Sequence, residues 1–231
     1  MEFKEEHVAF RKVMRDFADS EIAPHAQEWD RTRTFPLEAI AKMGALGLFG
    51  LPFDEAYGGS NSDFTTLCIA VEELARVDWV IASVVSVANS LVAGSILEHG
   101  TDEQKRKYLV PQARGERIAT YGLTEPNAGS DAVGIQTTAV RRGDRYVLNG
   151  EKTWISLADV ADHFLVIAWT DQDKKKERDH SGMSAFIVER AFEGFGSYTL
   201  EEKWGILAGN TGGFSLQDVE VPVENRVGAE G

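Results

Sequence analysis

Residues 121–131 read YGLTEPNAGSD, and this stretch contains the most informative chemistry of the sequence. We interpret it as the end of a strand that opens into a loop. Small residues at 127–129 would let another body approach the backbone closely. The hydroxyls of Thr124 and Ser130 and several loop N–H groups suit a polar, partly anionic ligand, such as a phosphate or the edge of a flavin. A Gly/Pro/Asn turn held by Asp131 is the alternative that composition leaves open.

A second informative stretch is NGEKTWIS at residues 149–156. Trp154 lies on a predicted strand, two positions before the hydroxyl of Ser156. A single Trp on a strand is more often part of a hydrophobic core than a surface for a ligand. A flat aromatic ring flanked by a hydroxyl donor would nevertheless suit the isoalloxazine ring of a flavin.

The first half of the chain has a helical pattern. Apolar stripes with the spacing i, i+3, i+4 and i+7 begin at Phe10 and at Phe64. The second stripe includes Cys68, which we interpret as a small core residue. Residues 77–97 are mostly apolar and predict a long helix buried on most sides. Residues 101–104, TDEQ, have the form of a capping box and predict the start of another helix.

After residue 116 the pattern is that of β-structure. A hairpin turn is predicted at residues 142–144, and the strongest short turn signal is Asn149-Gly150. The polar run at residues 171–181 is interpreted as an exposed hairpin tip. Further strands are predicted at residues 164–169, 185–188 and 214–221.

These patterns predict an α+β fold in two domains. An N-terminal all-α helical domain would occupy residues 1–115, and a small antiparallel β-barrel or sandwich domain would occupy residues 116–231.

Charge and composition narrow the function classes. The formal net charge is −13 and is spread evenly, so we expect no nucleic-acid partner. Cys68 is the one cysteine, which favours a reducing compartment. No apolar run is expected to approach the ~20 residues that span a bilayer, and the N-terminus lacks the layout of a signal peptide. We therefore expect a cytoplasmic protein or, as the alternative, a mitochondrial matrix protein after removal of a transit peptide.

Several common sites are missing from the sequence. It contains no P-loop, no strand-linked dinucleotide-binding glycine motif and no H-E-x-x-H zinc motif, so we expect no metal site. The histidines are scattered, and each is interpreted as a surface or core residue: His7, His25, His99, His163 and His180.

The combination of motifs closely resembles the acyl-CoA dehydrogenase family. Residues 121–131 match its signature at nearly every fixed position, and residues 149–156 match a second block. LPFDEAYGG at residues 51–59 and the stretch 203–228 are similar to further family blocks. The resemblance covers essentially the whole chain and is far more specific than a lone glycine pattern.

The resemblance implies a flavoprotein oxidoreductase of fatty or cyclic acid degradation. Such enzymes use FAD to convert an acyl-CoA to the enoyl-CoA: a carboxylate takes the α proton, and the β hydrogen leaves as hydride to the flavin. Carried over by motif position, the residues that would contact the cofactor are Tyr121, Leu123, Thr124, Gly129, Ser130, Trp154, Ile155 and Ser156. Ser130 would also contact the substrate, whereas Glu125 and Asp131 are read as structural.

Family members continue with a C-terminal four-helix domain that contains the catalytic Glu. We expect that domain to be absent from these residues, so no catalytic base is assigned and the base is expected beyond Gly231. The fragment alone is expected to be inactive. The resemblance further implies an acyl-CoA substrate, an electron-transfer flavoprotein as acceptor, no membrane span, and a homodimer or homotetramer in the full-length form.

Two other readings stay open. The chain could belong to an acyl-CoA oxidase that passes electrons to oxygen, or to a non-catalytic partner subunit that binds flavin or acyl-CoA. The stretch SLADVADH at residues 156–163 differs from the usual family block and resembles members that act on cyclic or aromatic-pathway thioesters.

Overall fold

The computed structural model describes residues 3–231 and divides the chain into two compact units. The first unit runs to Gly94 and adds Lys105–Arg117 and Glu202–Gly209, and the second comprises Ser95–Gln104, Ile118–Glu201 and Asn210–Gly231. The helices are α1 (Glu5–Phe17), α2 (Ala23–Thr32), α3 (Leu37–Ala45), α4 (Phe64–Ala75), α5 (Trp79–Val87), α6 (Ala93–His99), α7 (Asp102–Gln104), α8 (Val110–Ala113) and α9 (Gln172–Glu177).

The helices of the first unit begin where the sequence supplies caps. The carboxylate of Asp63 accepts from the N–H of Thr66 at the start of α4, and that of Asp78 accepts from Ile81 at the start of α5. The predicted stripe on α4 is rotated: Phe64 and Cys68 are exposed, whereas Leu67 and Leu74 are buried. Cys68 is therefore not a core residue.

A buried carboxylate explains the rotated face of α4. Glu73 is turned inward with 1% of its surface exposed. It accepts hydrogen bonds from Arg11 (2.7 Å) and from Arg15 (2.8 and 2.9 Å) on α1. Because this ion pair fixes which side of α4 meets α1, hydrophobicity alone predicts the wrong side for Phe64 and Cys68.

α5, a π-helical turn at Ala88–Val92 and α6 form one helical run from Trp79 to His99. It has 21 residues and a mean hydropathy of 2.0, so the expectation that no apolar run approaches the length of a membrane span is wrong. However, 56% of its most apolar window is buried inside the protein. A buried core helix passes the same test of length and composition, so the run is weak evidence for a membrane span.

The second unit is built on one sheet. Its strands are β1 (Ala119–Gly122), β2 (Thr138–Arg142), β3 (Arg145–Ser156), β4 (His163–Trp169), β5 (Met183–Glu189), β6 (Phe195–Thr199), β7 (Thr211–Pro222) and β8 (Arg226–Val227). The order is β6-β7-β3-β2-β4-β5-β8, and β1 lies beside β4. Most pairs are antiparallel, while β1 and β2 meet β4 in parallel. The helical first unit and this mostly antiparallel sheet confirm the α+β fold class.

The predicted hairpin at residues 142–144 is confirmed in position, but Arg142 pairs with Arg145, so the loop has two residues and not the three predicted; Gly143 in it has a φ of 65°. The predicted turn at Asn149-Gly150 is wrong. Both residues lie within β3, where the register against β7 shifts between Leu148 and Gly150. The extra residue of this bulge lies on β7, and β3 continues through Asn149-Gly150 without reversing.

The polar run at residues 171–181 connects the antiparallel strands β4 and β5, so the predicted hairpin tip is confirmed in position, but it is not a simple turn. It forms α9, followed by a short 3₁₀ turn. The carboxylate of Asp171 caps this helix by accepting from the N–H groups of Asp173 and Lys174. The capping box at residues 101–104 is confirmed, since Thr101 and Gln104 exchange hydrogen bonds of 3.0 and 3.2 Å at the start of α7.

Candidate functional site

The first part of the site is the loop after β1. At Gly122 an added Cβ would lie 2.5 Å from Cζ of Phe214, so the close packing of the sheet requires glycine there. Beyond it, Glu125 and Ala128 exchange two main-chain hydrogen bonds of 3.0 and 3.1 Å. These bonds close a tight turn, with Ala128 buried and Gly129 and Ser130 exposed. The turn therefore leaves Gly129 and Ser130 at the surface.

Glu125 anchors this turn from its buried side. One carboxylate oxygen lies 2.9 Å from the ammonium of Lys152 and accepts from the hydroxyl of Thr137. The N–H groups of Gln136 and Thr137 also donate to the carboxylate. Burial acts to raise the pKa of Glu125, but the Lys152 charge and these hydrogen bonds outweigh it and lower the pKa. Glu125 is therefore a fully bonded structural carboxylate.

Asp131 has a similar local role. Its carboxylate lies 2.5 Å from Arg178, and its carbonyl accepts from the N–H of Gly134. Both acidic residues of the 121–131 stretch are thus held by the protein's own donors.

The second part of the site is the end of β3. The register against β7 shifts a second time, between Thr153 and Ile155. Trp154 sits at this bulge with a φ of 57° and with 67% of its surface exposed. A large aromatic residue rarely adopts this left-handed backbone, which costs roughly 1–3 kcal/mol and is found most often at functional sites. The bulge turns an indole outward that a regular strand would not present in this way.

Hydrogen bonds join the two parts. The N–H of Thr153 donates to the carbonyl of Thr124 (3.0 Å), and the hydroxyl of Thr120 donates to the carbonyl of Ser156 (2.5 Å). The structure thus brings Thr124 next to the strand segment that bears Trp154 and Ser156. Ile155, between these two exposed residues, is only 4% exposed, so its side chain faces the core and only its main chain could meet a ligand.

The polar side chains of the site keep their donors available. Among residues 3–231, no hydrogen-bond partner is found for the hydroxyls of Thr124, Ser130 and Ser156 or for the indole N–H of Trp154. Tyr121 is partly buried, and burial raises its pKa. The site thus combines an exposed aromatic side chain with hydroxyls at neighbouring positions of the chain, a combination that suits a planar heterocycle with polar edges.

Sequence reasoning did not find Lys152. It lies 27 positions from Glu125, and a lysine inside a strand carries no recognisable signal of burial.

One group of possible metal ligands lies elsewhere, in the first unit. Glu6, His7 and Asp63 place one ligand atom each within 4.8 Å of one another. However, His7 uses both ring nitrogens, towards Asp63 and towards the N–H of Lys4. The Lys4 ammonium, 3.2 Å from Glu6 and 3.4 Å from Asp63, already supplies a positive charge. This group is a capping network that links α1 to α4.

Comparison with known proteins defines the class. Residues 4–116 match the N-terminal domain of the acyl-CoA dehydrogenases, and residues 120–219 match the middle domain. The chain belongs to the acyl-CoA dehydrogenase family.

Individual relatives agree with this class. The chain is 48% identical over 221 residues to the short-chain specific acyl-CoA dehydrogenase of Clostridium acetobutylicum, covering 96% of this chain and 57% of the relative. A chain in the structure reported for the electron transferring flavoprotein of Acidaminococcus fermentans is 40% identical, with a TM-score of 0.94 over 100% of this chain and 60% of that one. An acyl-CoA dehydrogenase from Bacillus anthracis, solved in complex with FAD, is 35% identical, with a TM-score of 0.89 over 99% of this chain and 38% of that one. The chain thus spans less than two thirds of the length of these relatives.

Proposed function

We propose that this chain is the flavin-binding part of an FAD-dependent acyl-CoA dehydrogenase. The observation that carries the proposal is Trp154, exposed at a strained bulge beside the hydroxyls of Thr124 and Ser156. Family membership and the FAD-bound relative support the same ligand. When bound, FAD would supply the acceptor for the hydride that leaves the β carbon of the acyl-CoA.

The chain's own residues would bind and orient the flavin. Trp154 would pack against the isoalloxazine ring, and the hydroxyls of Thr124 and Ser156 would donate to its polar edge. Tyr121 and Leu123 would line the ring, and Ile155 would contribute its main chain.

Gly129 and Ser130 would lie where the flavin meets the pantetheine or phosphate region of the acyl-CoA. An added Cβ at Gly129 has no atom of the protein within 4 Å, so the chain itself leaves this position open. Space of this kind fits the close approach of a second body.

We assign no catalytic base in this chain. Removal of the α proton needs a carboxylate that is free to accept it at the reacting carbon. Glu125 has its oxygens occupied by Lys152, Thr137 and Gln136, and Asp131 is paired with Arg178. In our proposal the base comes from residues beyond this chain, and this part alone does not turn over.

The proposal extends to substrate, acceptor and assembly. The 48% identity to a short-chain specific enzyme supports a short acyl-CoA as substrate, and the Acidaminococcus relative supports an electron-transfer flavoprotein as acceptor. The proposal also includes assembly of the full-length protein as a homodimer or homotetramer and a cytoplasmic location.

Titration of the purified protein with FAD tests the first step. We expect saturable quenching of flavin fluorescence, weakened in the Ser156→Ala variant. Absence of binding by the unaltered protein contradicts the proposal. In the full-length protein a short-chain acyl-CoA should bleach the visible flavin band without oxygen. Release of hydrogen peroxide in air would instead favour an oxidase, and bound flavin that no acyl-CoA bleaches would favour a partner subunit.

A further inference from the structure

Lys152 is a lysine without solvent contact, with 0% of its surface exposed. Its ammonium donates to the main-chain carbonyl of Leu123 (3.0 Å) and to the carboxylate of Glu125 (2.9 Å). Burial of an ammonium is costly unless the charge is paired and its donors are satisfied. This buried ammonium belongs to a residue two positions before Trp154 on β3.

The partner carboxylate extends the contact to a third segment. Glu125 also receives the N–H groups of Gln136 and Thr137, which lead into β2. The Lys152–Glu125 pair therefore joins three pieces of chain: the loop after β1, the start of β2 and the second half of β3.

We propose that Lys152 and Glu125 are positioning residues for the flavin. Lys152 holds the carbonyl of Leu123, next to Thr124, against the strand that bears Trp154 and Ser156. The pair thereby sets the position of the Thr124 hydroxyl relative to the indole. This inference rests on the proposed function and adds two residues that the motif comparison left without a role at the flavin.

The geometry explains why a charged pair is needed here. The ladder between β3 and β2 ends at Asn149, and beyond it the N–H of Thr153 supplies a main-chain bond from this edge of β3 to the carbonyl of Thr124. The side-chain bonds from Lys152 add to that bond where no ladder holds the loop. A hydrogen bond to a charged donor is stronger than one between neutral groups, so the loop is held more firmly than a neutral contact would hold it.

The test compares FAD binding by five variants of the full protein with the unaltered protein. Lys152→Met removes the ammonium at nearly constant volume, and Glu125→Gln keeps the shape but removes the charge. Glu73→Gln is the matched control, because Glu73 is a buried carboxylate paired with arginines in the first unit. Thr124→Ala is made alone and together with Lys152→Met.

We expect Lys152→Met to weaken FAD binding at least tenfold and to shift the visible flavin spectrum, with Glu125→Gln acting in the same direction. Glu73→Gln should lower the melting temperature but leave the FAD dissociation constant within twofold. Thr124→Ala should weaken binding much less in the Lys152→Met background than in the unaltered protein, because both changes disturb one contact.

Unchanged affinity and spectrum in both Lys152→Met and Glu125→Gln would overturn the inference, as would simple additivity with Thr124→Ala. If Lys152→Met does not fold, Glu125→Gln decides by the same comparison. If the unaltered protein binds no FAD, the proposed function fails first and this inference fails with it.

Discussion

Asn149 and Asp218 bind each other twice across the long strand pair β3 and β7. The Asn149 amide donates to the Asp218 carboxylate (3.0 Å), and the N–H of Asp218 donates to the amide oxygen of Asn149 (2.9 Å). Asp218 has a φ of 53°, and the pair lies at the first register shift of β3. The side chain of Asn149 thus replaces the main-chain bonds that the bulge removes.

We expect Asn149→Ala to lower the free energy of unfolding by about 1–2 kcal/mol, because two hydrogen bonds are lost at a strained residue. Urea denaturation followed by circular dichroism measures the change. Glu151→Ala, an exposed change on the same strand, should stay within about 0.5 kcal/mol. Equal effects of the two variants would show that the pair does not stabilise the bulge.

The buried carboxylate of Glu73 predicts an acid-dependent stability. The hydrogen bond from Arg15 lowers its pKa from 4.5 to about 2, with further contributions from Arg11 that outweigh burial. A depressed folded-state pKa stabilises fully above the unfolded pKa and is lost as the pH falls through the folded one. Glu73→Gln should therefore cost about 2–3 kcal/mol at neutral pH, and the difference should shrink between about pH 5 and 2.

Unfolding measured at several pH values between these limits checks this prediction. Glu21→Gln is the control, because the Glu21–Lys42 pair is exposed and screened by solvent. The free energy of unfolding of Glu21→Gln should equal that of the unaltered protein at every pH. A constant difference between Glu73→Gln and the unaltered protein down to pH 2 would contradict the low pKa of Glu73.

Trp154 is predicted to dominate the affinity for FAD among the aromatic residues. Trp154→Ala should weaken FAD binding by roughly tenfold or more, because a stacked indole contributes on the order of 1–3 kcal/mol. Titration of flavin fluorescence measures the loss. Trp29→Ala, in the first unit, should leave the affinity unaltered, and a similar loss in both variants would argue against a specific role for Trp154.

Gln104 is predicted to contribute more to stability than Thr101, its partner in the capping box. Its side chain accepts from the N–H of Thr101 and donates to the carbonyls of Glu224 (2.7 Å) and Arg226 (2.9 Å). Gln104→Ala should therefore destabilise more than Thr101→Ala, for which we expect about 1 kcal/mol. Thermal unfolding of the two variants gives the comparison, and the reverse order would show that the two carbonyls find other partners.

Cys68 is exposed, so a thiol reagent should label it without denaturant. We expect one equivalent to react quickly with this chain and Cys68→Ala to remove the reaction. Substitution by Ala should leave stability nearly unchanged, since no core contact is lost. Protection of the thiol until the chain is unfolded would contradict the exposed position on α4.

The change from a helical to a β hydrophobic pattern near residue 116 predicts the fold class, because this periodicity depends on residues close in sequence. The hairpin at Gly143 and the capping box at Thr101 were also predictable, since each depends on residues close in sequence. Asn149-Gly150 shows the limit of local signals. Its partner Asp218 lies 69 positions away, and that contact turns a predicted reversal into a bulge.

In the candidate site, too, the sequence identifies individual residues but not the long-range contacts between them. Motif positions indicated Thr124, Trp154 and Ser156, but not how the chain holds them. The Lys152–Glu125 pair joins strands far apart in the sequence, and the left-handed backbone of Trp154 follows from the register between β3 and β7. Buried charges and bulges depend on tertiary contacts, so a single sequence does not reveal them.

One edge of β3 has two different neighbours. Residues 145–149 pair with β2 in a regular ladder, whereas Thr153 meets the loop after β1 through a single main-chain bond. An amide proton exchanges with solvent only when its hydrogen bond opens. The Thr153 amide is therefore a natural reporter: its exchange rate records how often the loop that bears Thr124 leaves the strand.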